Sequence, residues 1–222
     1  MIYFTEDTLA FLNELKANNN RDWFNANKKR YEQHVKNPYQ KFIGDLIDAL
    51  GPQYPALAIT PKDAIFRIYR DVRFSKDKSP YKTKVSAIIT PGGRKDMTSV
   101  GLYNELSGDD FRIYSGLYQL DATQLKNVRT HISYNMEEFQ SLITDKKFVK
   151  VFGEVRGEKN KRISKEFQED AETQPLLFNK SFYYFTSFKP DIVLKNGLID
   201  KTIDTFLVAK PLSQFLKEGL EG

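Results

Sequence analysis

The chain has 222 residues, 34 basic against 29 acidic side chains, 40% hydrophobic residues and no cysteine. This length and hydrophobic content predict one folded domain over residues 1–222. The absence of cysteine excludes disulfides, zinc–thiolate and iron–sulfur centres, and a thiol nucleophile. The longest apolar runs are far shorter than the ~18 residues of a membrane span, and the acidic N-terminus is unlike a basic signal peptide. We therefore predict a cytoplasmic protein without membrane attachment.

The first 50 residues predict three helices. Thr5 is a suitable N-cap for the first, in which apolar side chains recur at helical spacing until the asparagines at 18–20. Asn20 is expected to cap a second helix that ends at Pro38. A third helix over about residues 39–50 has an apolar face formed by Phe42, Ile43, Leu46, Ile47 and Leu50.

The middle third of the chain predicts strands, because apolar and polar residues alternate there. The four predicted strands cover residues 64–71, 85–89, 100–106 and 111–118. Turn residues at 91–93 and 107–110 separate the last three strands, which indicates an antiparallel meander. Further helices are predicted from Asp121 to Ile132 and over 136–143, a strand over 182–188, and a final helix pair over 201–210 and 212–220, with Asp200 as cap and a break at Pro211. The basic stretch 146–165 is expected to be solvated surface. These elements together predict an α+β fold, with an antiparallel-rich sheet on which N-terminal and C-terminal helices pack.

The two alternations of the predicted strands have different chemistry. One is apolar and is expected to pack under the helices; it holds Phe66, Ile68, Val85, Ala87, Ile89, Val100, Leu102, Leu106, Phe111 and Ile113. The other is polar and aromatic, with Arg67, Tyr69, Tyr103, Glu105, Arg112, Tyr114 and Tyr118. Tyrosine beside arginine suits planar or phosphorylated ligands. An amphipathic face covered by another helix has the same pattern.

The positive charge of the chain is concentrated in residues 67–84. This window holds seven basic and two acidic residues, a local excess equal to the net charge of +5 for the whole chain. The basic residues are Arg67, Arg70, Arg73, Lys76, Lys78, Lys82 and Lys84. Such local enrichment predicts an anionic partner better than the overall charge does.

Three arginines in this window recur at a spacing of three. On an extended chain Arg67 and Arg73 share a face that Arg70 does not, so one common site requires the strand to end or bulge near Asp71. Arginine binds phosphate or carboxylate through two hydrogen bonds, and lysine adds a mobile charge. We therefore expect ligand-binding residues at Arg67, Tyr69, Arg70, Arg73, Lys76, Lys78, Tyr81, Lys82, Tyr103, Glu105, Arg112 and Tyr114. Alternatively, each arginine pairs with an acid such as Asp71 or Glu105 and stabilises the sheet.

Residues 66–83, and residues 18–24 followed by Asn27-Lys28 and Tyr31-Glu32, resemble an uncharacterised family, domain of unknown function 2461. Weaker matches are Phe11-Leu12-Leu15, Gly116-Leu117-Tyr118, Leu125, Val128-Arg129, Phe206, Lys210-Pro211-Leu212 and Phe215-Leu216. The chain departs from the family pattern at Leu120, where proline is more usual, and at 174–175, where histidine often precedes the proline. The resemblance implies a single intracellular α+β domain and implies no activity.

No known catalytic motif is present in the sequence. There is no Gly-x-Ser-x-Gly elbow, P-loop, dinucleotide fingerprint or His-Glu-x-x-His. His34 and His131 each lack a second ligand at metal spacing, and Ser75 and Ser79 have only lysines as neighbouring bases. We expect no metal and no cofactor, and we assign no catalytic residue.

Three functions are compatible with the sequence. The first is binding, with or without turnover, of a small phosphorylated or carboxylated ligand. The second is nucleic-acid binding, in which basic residues contact phosphates and tyrosines stack on bases. The third is a protein–protein interaction module in which the arginines are structural. The sequence leaves the oligomeric state open.

Overall fold

The computed structural model describes residues 1–96 and 99–221 and has the predicted α+β fold. Its α-helices are α1 (Glu6–Ala17), α2 (Arg21–Ala26), α3 (Lys28–Tyr31), α4 (Asn37–Leu50), α5 (Pro61–Ala64), α6 (Ala122–Tyr134), α7 (Met136–Ile143), α8 (Lys146–Phe152), α9 (Gln168–Thr173), α10 (Leu198–Val208) and α11 (Lys210–Glu221). A π-helical turn spans Glu32–Lys36, and 3₁₀ turns span Gly51–Gln53, Gly93–Lys95, Lys165–Phe167, Pro175–Phe178 and Pro190–Leu194. The strands are β1 (Lys84–Ile89), β2 (Leu102–Ser107), β3 (Phe111–Leu117) and β4 (Phe182–Phe188), paired antiparallel in that order.

The chain divides into two compact units. The first contains Met1–Lys95, Tyr103–Ile113 and Ser187–Ile203, and the second contains Asp96–Leu102, Tyr114–Thr186 and Asp204–Gly222. Each unit therefore combines distant parts of the sequence. The expected single domain over residues 1–222 stays a prediction. None of the helices in the part of the chain that the structure describes is long and apolar enough to cross a bilayer.

The N-terminal helices begin where their caps predict. Thr5 forms a capping box with α1, and the Asn20 side chain accepts a hydrogen bond from the Trp23 backbone N–H (2.9 Å) at α2. The five predicted apolar residues of the third helix are buried in α4. Pro38 was expected to end a helix and instead lies in the first turn of α4. Proline is tolerated there because the first-turn N–H groups have no partner within the helix.

The prediction of a strand over residues 64–71 is wrong. This segment makes only two isolated antiparallel bridges, Ile65 with Ala87 and Tyr69 with Tyr81. Four residues separate the bridges on one side and six on the other, so the pairing shifts by two residues and a regular ladder cannot form. The predicted meander of the next three strands is confirmed as β1, β2 and β3, although β2 begins at Leu102 rather than at residue 100.

The predicted apolar alternation is buried in the structure, except that Phe66 and Val100 are only half-buried. β1 is buried on both faces, because Ser86 and Ile88 are covered as well. On the opposite alternation, Tyr103, Arg112 and Tyr114 are half-buried, whereas Glu105 is only 3% exposed. The polar face is thus partly covered.

The second unit has its own aromatic and aliphatic core. Phe139, Phe148 and Phe182 lie in it and are at most 2% exposed. Asp121 caps α6 as predicted, by accepting a hydrogen bond from the Gln124 N–H (2.9 Å). The stretch 146–165, expected to be solvated, contributes α8 with a buried face. Asp200, expected to cap a helix, lies instead in the first turn of α10.

Candidate anion-binding site

A cavity of about 440 Å³ lies in the first unit, and we call it the basic cavity. Its walls come from four parts of the chain: the helical stretch from α3 to α4, the stretch from α5 to residue 68, the start of β1, and the 3₁₀ turn at 93–95. Its lining consists of Tyr31, Lys36, Tyr39, Gln40, Lys62, Ile65, Phe66, Arg67, Ile68, Lys82, Val85 and Arg94.

The charges of the lining all have the same sign. Five side chains are basic, and none of the described lining residues is an aspartate or glutamate. Just outside the lining, Asp63 interacts electrostatically with Arg94 and Lys62, and Asp71 interacts with Arg67. We call these five residues the cavity cations: Lys36, Lys62, Arg67, Lys82 and Arg94. Several basic side chains gathered in one cleft concentrate positive potential there, because the protein walls screen charge less than water does. The arrangement suits an anionic ligand.

The irregular pairing after α5 places Arg67 and Lys82 at the cavity. The Phe66 N–H donates to the Ser86 carbonyl (3.0 Å), and the Lys82 N–H donates to the Ile68 carbonyl (2.8 Å). The two-residue shift in pairing falls between these bonds. Arg67 and Lys82 lie on the two segments that pair here, and both of them line the cavity.

Lys82 has no acid to balance its charge. Its Nζ lies 5.1 Å from the centroid of the Phe66 ring, and it makes no ion pair within residues 1–96 and 99–221. Burial of the amine and the positive charges of Lys84 and Arg67 lower the pKa of Lys82 below its ordinary value of 10.5. The environment of this side chain therefore disfavours its own charge.

Arg94 is held by backbone carbonyl groups. Its Nη1 donates to the carbonyls of Lys62 and Ile65, the second at 3.2 Å. The preceding Gly93 has a φ of 58°, and a Cβ there would lie 2.6 Å from the Asp63 carbonyl oxygen. Only glycine allows this turn to approach α5 so closely, and the turn positions Arg94.

Two tyrosines complete the wall formed by the N-terminal helices. Tyr39 is buried, and its hydroxyl donates to the Asn104 Oδ1 (2.7 Å). Burial raises the pKa of Tyr31 to about 12, so its hydroxyl stays protonated at neutral pH. Phe24 supports Tyr31 at a ring distance of 5.1 Å and stacks on Tyr81 at 4.0 Å. The predicted residue Tyr81 is thus a buried part of this aromatic support.

The three arginines of the window do not converge on one site, contrary to the sequence-based expectation. Arg67 lines the cavity, but Arg70 pairs with Asp77, and the Arg73 Nη2 contacts the Asp71 Oδ2 at 2.6 Å. Hydrogen bonds from Arg73 lower the pKa of Asp71 to about 2. The remaining predicted residues of this segment, Tyr69, Lys76 and Lys78, are exposed and lie outside the lining.

The predicted residues on β2 and β3 form a separate ionic cluster. The Glu105 carboxylate pairs with Lys84, accepts a hydrogen bond from the Tyr103 hydroxyl (3.2 Å) and lies 3.8 Å from the Arg112 Nη1. Arg112 also donates to Asp110 (2.6 Å). A buried carboxylate surrounded by hydrogen-bond donors fits the alternative that these residues stabilise the sheet. The remaining predicted residue, Tyr114, belongs to the second unit, where its ring stacks 4.7 Å from that of Phe185.

Sequence reasoning missed several residues of the cavity. Lys36 and Gln40 are four residues apart and occupy the same side of a helical segment, and Arg94 follows the predicted turn at 91–93. Nothing local distinguishes them from surface residues. Lys62, next to Pro61 at the start of α5, is equally inconspicuous.

The described part of the chain has no group of three or more histidine or acidic side chains that could hold a metal ion. A family model described as conserved hypothetical protein (DUF2461) matches residues 7–215. No curated protein and no solved structure matches the chain.

Proposed function

The chain belongs to the family described as conserved hypothetical protein (DUF2461), and we propose that it binds a small phosphorylated or carboxylated molecule in the basic cavity. The observation that carries this proposal is the lining, which has five basic side chains and no carboxylate among the described residues. A set of like charges gathered around one cavity raises the energy of the empty protein. An anion relieves this repulsion when it binds.

The distribution of charge in the cavity supports entry of an anion from solvent. Lys36, Lys62 and Arg67 are exposed, whereas Lys82 and Arg94 are half-buried. Exposed cations at the rim attract an anion over several ångströms, and the inner ones then bind it where water is scarcer.

Size and shape support a small ligand. A volume of about 440 Å³ lies in the range of pockets that hold metabolites. Ile65, Phe66 and Val85 offer apolar surface for a carbon skeleton, and the Tyr31 hydroxyl and the Gln40 amide offer neutral hydrogen bonds. Of the residues predicted from the sequence, we retain Arg67 and Lys82 as ligand-binding residues.

A thermal unfolding screen tests the proposal. The ligands are inorganic phosphate, nucleotides, sugar phosphates and dicarboxylates, each added to the full chain. A ligand at a hundredfold excess over its Kd stabilises the folded protein by about 2.7 kcal/mol. We expect at least one of these anions to raise the melting temperature.

Two arginine variants locate the binding. Arg67→Ala is expected to lose the ligand-induced shift because it removes a cavity cation. Arg73→Ala is the matched control, since Arg73 lies six residues away, is exposed and is paired with Asp71. Equal shifts in both variants would place the binding elsewhere, and no shift with any anion would contradict the proposal.

A further inference from the structure

We propose that Lys82 is a nucleophile that forms an imine with the carbonyl group of an anionic aldehyde or ketone held in the basic cavity. This inference rests on the proposed anion binding and extends it from a class of ligand to a class of reaction. Of the five cavity cations, the inference concerns only the amine of Lys82.

The position of Lys82 supports this role. Its Nζ lies against the Phe66 ring, lines the cavity and has no carboxylate partner in the described parts of the chain. Lys84, two residues later, provides a contrast because its Nζ is paired with the buried carboxylate of Glu105. Lysines that form imines in enzymes are typically desolvated or lie beside another cation. Lys82 is half-buried and lies near Lys84 and Arg67, whereas the Lys84 amine is paired with Glu105.

Only the neutral amine attacks a carbonyl group, so the protonation state of the lysine matters. Burial, together with the nearby charges of Lys84 and Arg67, lowers the pKa of Lys82. A larger fraction of Lys82 than of an ordinary surface lysine is therefore neutral near pH 7 to 8. Among the cavity cations, Arg67 contributes to this lowering, and none of the described lining residues contributes a carboxylate that would favour the charged amine.

The reaction needs no further reagent. The Lys82 ammonium group gives one proton to solvent, and the amine nitrogen attacks the carbonyl carbon. The carbonyl oxygen leaves as water with the two remaining protons of the nitrogen, and a carbon–nitrogen double bond remains. The phosphate or carboxylate of the same substrate binds to Arg67 and the lysines at the rim, which brings its carbonyl group near the Lys82 Nζ.

Trapping with borohydride tests the inference. The full chain is incubated with pyridoxal 5′-phosphate, which is a phosphorylated aldehyde, and reduced, so that hydride adds to the imine carbon and fixes the product. Peptide mass spectrometry then compares Lys82 with Lys84. We expect at least tenfold more label on Lys82, protection of Lys82 by excess inorganic phosphate, and reduced labelling of Lys82 in Arg67→Ala.

The variant Lys82→Arg separates the inference from the proposed function. It keeps a cation in the cavity but cannot form an imine, so phosphate should still stabilise it while the label at position 82 is lost. If phosphate stabilises the wild type and Lys82 is labelled no more than Lys84, the imine inference is wrong and anion binding stands. If no anion of the thermal screen stabilises the protein and Lys82 is not labelled selectively, both are wrong.

Discussion

Two groups of basic side chains in the first unit lie next to each other in sequence but differ in their surroundings. The loop cations, Arg70 and Arg73, are each paired with an aspartate, Asp77 and Asp71. Arg67, only three residues before Arg70, lines a cavity in which no described residue carries a carboxylate. Formal charge is the same in the two groups, whereas charge available to a ligand is not. A basic window in a sequence therefore indicates only the region of an anion site. Whether each cation is paired with an acid determines whether it is available to bind a ligand.

The two groups of cations also differ in how their charges affect the stability of the folded protein. An exposed ion pair such as Arg73 with Asp71 is nearly neutral seen from a distance and contributes little to stability. Burial and the nearby charges of Lys84 and Arg67 lower the pKa of Lys82. The anion binding that we propose for the basic cavity would relieve the repulsion between the cavity cations.

Charge reversal at Arg67 should have the largest effect on binding. Arg67→Glu replaces the donor that we propose for the anion by a group with the same sign of charge as the anion, and the loss of a charged hydrogen bond alone costs about 1.5–3 kcal/mol. We expect the affinity for the best anion of the thermal screen to fall by about 100-fold or more in isothermal titration calorimetry. Arg73→Glu should change it less than about threefold. Similar losses in both variants would remove the distinction between the two groups.

Removal of the carboxylate from the ionic cluster should destabilise the protein. Glu105→Gln leaves Lys84 and Arg112 without their shared buried partner, and we expect about 2 kcal/mol less free energy of unfolding in urea. Glu14→Gln is the control, because Glu14 pairs with Arg30 at the surface and should contribute less than about 1 kcal/mol. A loss at Glu105 no larger than at Glu14 would mean that the cluster is not stabilising.

Addition of a carboxylate to the cavity should give the cavity cations an acidic partner, as Arg70 and Arg73 already have. Gln40 is exposed and lines the cavity, so Gln40→Glu places an acid among the cavity cations. We expect the unliganded protein to gain about 0.5 kcal/mol in free energy of unfolding and its affinity for anions to fall. Unchanged affinity, measured by the same calorimetry, would show that the cavity cations do not act together.

The dependence of stability on pH gives the smallest expected effect. Because burial lowers the pKa of Lys82, the unfolded chain binds this proton more strongly than the folded chain does. The contribution of Lys82 to the free energy of unfolding therefore rises as pH increases from the lowered pKa towards 10.5. The difference between wild type and Lys82→Met, followed by urea unfolding from pH 7 to 10, should show this rise. The tyrosines that titrate in this range are common to both proteins and cancel; a flat difference would contradict the lowered pKa.

Local signals in the sequence predicted much of the fold. Caps at Thr5, Asn20 and Asp121 and the apolar face of α4 depend on neighbouring residues only, and the structure confirms them. The strand predicted over 64–71 is wrong because its pairing shifts between Ile65 and Tyr69, and a shift in register depends on a distant partner segment.

The candidate site was less predictable for the same reason. The window 67–84 contains Arg67 and Lys82. Only tertiary structure distinguishes Arg67 from the arginines at 70 and 73, and Lys82 from the lysines at 76 and 78. Lys36 and Arg94 come from outside the window and join the lining through packing of the N-terminal helices and a glycine turn. The alternation of residues along a strand predicts to which face a side chain points. It does not predict which acid pairs with a basic side chain.

The chain contains a single tryptophan, Trp23, and its packing near the cavity wall makes it an intrinsic fluorescent reporter. The Trp23 ring lies 5.4 Å from Phe11, which lies 5.7 Å from Tyr31 on the cavity wall. A ligand that displaces Tyr31 alters the packing around the indole, and its emission responds without any added dye. Stopped-flow fluorescence of the unlabelled protein can thus time the arrival of an anion and, separately, any slower covalent step that follows.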